Sequence, residues 1–246
     1  MTNQAGSPDP RAGILGRVTG VVYALVLVEL GFLLAMAPGF AGLAFLERDL
    51  RNLPFFALCL VPVGPAFSAA LYALHASRRA DDMVVWPRFW RGWVRALRDV
   101  LPLWIPALLA GTVLAYNVLL GPTVGIESFL IIGSWIVLAA LVLWTVNVLV
   151  IGSLFSFRLR DTARLALFYL AARPLVTLGS ASLAVLAAGT AFLTAEWVLA
   201  LAASLFAAAV LFTQRPLIAD VSDRFVANPG ASGEPPTAPA EGSADQ

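Results

Sequence analysis

Thirty consecutive residues, Ser128–Phe157, carry no charged side chain. A helix of roughly 20 residues already crosses the hydrocarbon of a bilayer, so this run is long enough to span it with tilt. Five more stretches resemble it. Val18–Ala37 is apolar apart from Glu29, and Leu53–Ala76 and Val100–Leu120 hold no Asp, Glu, Lys or Arg. Pro174–Ala195 and Trp197–Thr213 are two apolar runs parted only by Glu196, which suits a tight hairpin. The pattern predicts an all-α polytopic membrane bundle of about six transmembrane helices at 18–37, 53–76, 100–120, 128–157, 174–195 and 197–213. A water-soluble domain would hold about 25% charged residues; this chain is 13% charged and 60% hydrophobic.

A cleaved signal peptide is the rival reading of the first run, since Arg17 precedes it and Ala35-Met36-Ala37 resembles a cleavage site. Pro38 just after that site and Glu29 inside the run argue against it. The ends are polar and rich in Gly, Pro, Ser and Ala. The expected organisation is a disordered stretch at 1–16, one membrane domain at 17–215, and a cytoplasmic, disordered tail at 216–246.

Six spans place both termini on one side. Arg11, Arg17, Arg78, Arg79, Arg88, Arg91, Arg95, Arg98, Arg158, Arg160, Arg164, Arg173, Arg215 and Arg224 then share that side, against Arg48 and Arg51 on the other. Such asymmetry marks the cytoplasmic face. The expected location is a bacterial inner membrane, with both termini cytoplasmic and little chain outside.

Inside the second run, Pro62 and Pro65 each lack a backbone donor, and Gly64 lies between them. A helix break or kink is expected there. Beyond it come two amphipathic cytoplasmic segments. In 77–99, Trp86, Trp90, Trp93 and Leu97 recur on one helical face, while Arg88, Arg91, Arg95 and Arg98 fall nearly opposite. Rings at the headgroup level with guanidiniums outward suit a helix lying on the membrane surface. A docking helix for a partner is the alternative. In 158–173, Leu159, Ala163, Ala166, Leu167 and Leu170 form an apolar stripe, with Arg160 and Arg164 on the polar side.

Little of the sequence points to reaction chemistry. One His and one Cys build neither a zinc site nor a disulfide. The absence of Lys excludes a Walker loop, and no Gly-x-Ser-x-Gly elbow occurs. No enzyme activity, cofactor or metal is expected. A net charge of +1 makes no case for nucleic acid. Glu29 is the one carboxylate deep within a run, where an unpaired charge costs about 2.5–3.5 kcal/mol. It is expected to be a neutral acid bonded to a polar residue such as Asn117 or Asn147. The other reading makes it a proton- or substrate-coupling site.

Gly64-Pro65-Ala66, followed by Ala69-Ala70-Leu71-Tyr72 and then a segment with spaced Phe89 and Trp93, resembles the YesL-like bacterial membrane proteins (domain-of-unknown-function family 624). In layout the resemblance runs over about 15–215, and its specific residues lie in 62–93. The stretch between Pro62 and Gly64 is shorter than the family's pattern and lacks its Thr. The resemblance implies an accessory protein of carbohydrate uptake or utilisation, with no established activity. Two expectations follow. One is a non-enzymatic accessory or scaffold protein that binds a membrane partner, such as an ABC-type sugar transporter, through Trp86, Phe89, Trp90, Trp93 and the arginines between them. The other is a small transporter using the broken second span and Glu29. A permease subunit of an ABC importer is a weaker variant of this second class: Ala80-Asp81-Asp82 before Phe89-Trp90 lacks the Glu-Ala-Ala and the Gly of the docking loop.

Overall fold

The structure, a computed structural model, describes residues 14–47, 49–79, 84–193 and 201–223. The expectations for 1–13, for the Asp81-Asp82 link, for the start of the last run and for 224–246 fall outside these residues. All regular elements among the described residues are helical. They are α1 (Ile14–Phe45), α2 (Leu53–Cys59), α3 (Val63–Arg79), α4 (Val85–Asp99), α5 (Leu101–Val124), α6 (Ser128–Leu154), α7 (Leu159–Ala172), α8 (Pro174–Leu193), α9 (Ala203–Thr213) and α10 (Arg215–Ser222), with a 3-10 turn at Leu50–Asn52.

Among the described residues, four stretches are long and apolar enough to cross a membrane: Val18–Phe45, Leu50–Ser77, Leu101–Val124 and Ser128–Leu154. Counting two bent helix pairs raises this to six; α7 and α8 meet at 101°, α9 and α10 at 57°. Much of the apolar surface faces outward. Leu109 and Val113 on α5, and Phe129, Trp135 and Ile136 on α6, are more than half exposed. Water tolerates no such belt, whereas lipid does. The chain is a helical membrane protein.

Several boundaries differ from expectation. α1 continues through Pro38 to Phe45, over residues expected to form a loop. Beyond Pro38, Gly39 and Gly42 pack against the backbone and thiol of Cys59, which holds the extension on α2. α5 ends at Gly125, whose φ of 76° is the left-handed conformation that stops a helix. Residues 216–222, expected in the disordered tail, belong to α10 instead, because Leu217, Ile218 and Val221 are buried in the bundle.

The core is organised around α3, which packs against α1, α4, α6 and α9. Its Ala66, Ala69, Ala70, Leu71 and Ala73 are fully buried. Small side chains let helices approach closely, and in lipid that close packing holds them together in place of the hydrophobic effect.

Candidate functional site

The second run is interrupted at Leu60–Pro62, between α2 and α3. Pro65 falls in the first turn of α3, where a missing N–H leaves nothing unpaired. The Leu60 carbonyl accepts from the Val63 N–H at 3.1 Å and from the Trp104 indole of α5 at 3.2 Å. Gly64 makes room for that indole: a Cβ here would lie 2.6 Å from the Trp104 Cγ. Pro62, Gly64 and Pro65 thus shape a break that a ring of the next helix fills.

α4 packs against the bundle. Its innermost line is Val85, Phe89, Gly92 and Ala96. Phe89 covers Gly31 of α1, and a Cβ at Gly92 would lie 2.9 Å from the Tyr72 ring of α3. Trp86, Trp90 and Trp93, expected at the headgroup level of the membrane, are half-buried beside this line. They contact one another edge to face, with centroids 5.8 and 5.7 Å apart. On α7 the expected stripe holds in part: Ala166 is buried, but beside it Thr162 and Tyr169 are buried while Leu159 and Leu167 are exposed. Bulky apolar residues can face lipid at no loss, so the residues that lead the protein contact are the ones that fit it.

On the opposite side of α4, Arg91 and Arg98 are exposed, and Arg88 and Arg95 are half-buried. Arg95 pairs with Asp99 at 3.1 Å, and the Arg91 Nε donates to the Pro87 carbonyl at 3.3 Å. Arginine-bearing segments far apart in the chain meet at one end of α6. A Cβ on Gly152 of α6 would lie 3.0 Å from Val100, just after α4, and 4.0 Å from Thr162 of α7. Asp220 of α10 joins them, accepting from the Tyr169 hydroxyl at 2.6 Å and from Arg173 at 3.0 Å. Arg158, Arg160, Arg164 and Arg215 are exposed on these elements.

The polar residues of the apolar runs are arranged otherwise than expected. Glu29 meets neither Asn117, which is exposed on α5, nor Asn147. Its Oε2 accepts from the Ser204 backbone N–H at 2.7 Å. Ser204 lies in the first turn of α9, where backbone donors have no intrahelical partner, so Glu29 caps α9 from another helix. Asn147 accepts from the Gln214 amide at 2.9 Å and donates to the Ala166 carbonyl at 3.2 Å. The same Gln214 amide reaches the Ser180 hydroxyl at 3.2 Å. Sequence reasoning missed Gln214 and Ser180. Gln214 sits beside Arg215 at the end of an apolar run, where a polar residue reads as a boundary marker, although it is fully buried.

Residues 25–118 match the family described as "Protein of unknown function, DUF624". The match covers most of α1 and all of α2, α3 and α4, and enters α5; it includes the 62–93 stretch on which the YesL-like resemblance rests. No curated protein and no solved structure matches the chain.

Proposed function

We propose that the protein is a non-enzymatic accessory subunit of the bacterial inner membrane, with both termini in the cytoplasm, which docks a membrane partner through the arginine-bearing end formed by α4, α7 and α10. The observation that carries this reading is the firm seating of α4. With Phe89 and Gly92 locked against α1 and α3, its Arg91 and Arg98 are held outward on a fixed scaffold. A rigid cationic face suits an acidic protein surface, because little side-chain and backbone freedom is lost on binding. The link to carbohydrate uptake rests on the family resemblance, and an ABC-type sugar transporter is the partner it suggests.

A small transporter is the competing reading, and the break at Leu60–Pro62 is the observation in its favour. The surroundings of the break suit a sugar poorly. The cavities beside it are walled mainly by apolar residues such as Phe56, Leu60, Val63 and Phe67, and hydroxyls such as Ser180, Thr112 and Thr145 are too few to replace the hydrogen bonds a sugar makes with water. Glu29 is already engaged with α9.

Purification in mild detergent from the native membrane separates the two. The accessory reading expects a transporter to co-purify with the wild type and to be lost from Arg91→Glu/Arg98→Glu. Sugar flux in proteoliposomes holding the pure protein alone would overturn it.

A further inference from the structure

A cavity of about 470 Å³ lies between α1, the α2–α3 break, α8 and α9. Phe32, Met36, Phe40, Phe67 and Phe206 are among its walls, and none of the described residues that line it is charged. An apolar cavity of roughly 150 Å³ takes one benzene, so this one has room for on the order of eighteen carbons. Among the described residues its one polar side chain is Ser180, which is 3% exposed. Behind it stand Gln214 and Asn147, buried and hydrogen-bonded to each other. The Ser180 Oγ accepts from Gln214 at 3.2 Å, which leaves its own hydrogen to donate. An adjoining cavity of about 520 Å³ differs on this point. Its Thr112 and Thr145 hydroxyls already donate to the Leu108 and Leu141 carbonyls of their own helices.

We propose that the cavity binds a single-chain neutral lipid with a hydroxyl head group, its hydrocarbon along Phe32, Met36, Phe40 and Phe206 and its oxygen accepting from Ser180. The size of the cavity sets one long chain, and the apolar walls found among the described residues disfavour an anionic or cationic head. The buried amide pair behind Ser180 fixes that hydroxyl and so distinguishes an alcohol from a plain hydrocarbon. The proposal is independent of the docking reading, since no arginine of α4 takes part.

The test is equilibrium binding of tritiated hexadecanol, hexadecane and palmitate to the delipidated full-length protein in amphipol, with protein-free amphipol as the blank. Hexadecanol should bind saturably and about tenfold tighter than hexadecane, roughly the contribution of one well-made hydrogen bond. Ser180→Ala should abolish that preference while leaving hexadecane binding unchanged. Ala187→Phe, which fills the wall, should weaken both ligands without lowering the melting temperature. Should Ala187→Phe not fold, the ratio of the two affinities in Ser180→Ala decides alone. Non-saturable uptake, tighter binding of palmitate, or an unchanged preference in Ser180→Ala would overturn the proposal.

Discussion

Glu29 shows what a single residue can and cannot disclose. Its place in an apolar run demanded a partner, and that much could be read from the sequence. Its partner was not legible, because a backbone N–H leaves no mark in side-chain composition. Replacing it separates the roles. Glu29→Gln keeps an oxygen for the Ser204 N–H and should unfold close to the wild-type temperature. Glu29→Leu removes the cap and should cost about 0.5–2 kcal/mol. Thermal unfolding in detergent measures both, and a Leu variant as stable as the wild type would exclude the capping role. The buried Asn147–Gln214 pair carries a second test. Gln214→Met alone leaves the Asn147 oxygen unpaired and should destabilise by about 1–3 kcal/mol, whereas Asn147→Leu/Gln214→Met removes both polar groups and should be closer to neutral. A double variant worse than the sum of its singles would contradict this account.

Among elements, α4 separates what periodicity tells from what packing decides. The helix, its two faces and its start near Pro87 follow from the spacing of Trp and Arg. Which line of residues touches the bundle does not follow, since hydrophobicity ranks Trp above Gly whereas the contact with Tyr72 selects Gly92. The break between α2 and α3 was legible in Pro62 and Pro65; the indole that fills it comes from Trp104, 44 residues away from Leu60. If close fit holds α4, Gly92→Leu should pry it from α3 and speed proteolysis within 84–100, because the nearest obstacles include the Ala69 backbone. Trp90→Ser/Trp93→Ser should loosen it less. Limited proteolysis of inside-out vesicles compares the two, and faster cleavage of the double Trp variant would return the anchoring role to the rings.

For the whole molecule, apolar run lengths disclosed an all-helical membrane bundle, while the helix ends shifted wherever tertiary contacts held extra turns. α10 is the clearest case: Leu217, Ile218 and Val221 are too few for a recognisable run, yet the bundle buries them all. Arginine placement leads to a test of sidedness. With Cys59 replaced by Ala and a cysteine introduced at Ser243, a membrane-impermeant maleimide should label inside-out vesicles and spare intact cells. Labelling of intact cells would reverse the proposed orientation.

The bond from Glu29 to Ser204 also sets a timetable for biosynthesis. The two residues are 175 positions apart, so the carboxylate of α1 reaches the membrane long before its partner exists. At about 5–20 residues per second, translation leaves that oxygen waiting roughly ten to thirty-five seconds. Nascent chains halted before Ser204 therefore expose a feature that the finished protein hides, one on which membrane quality control can act. A chain stalled there should turn over faster than one stalled after α9, and Glu29→Leu should erase the difference.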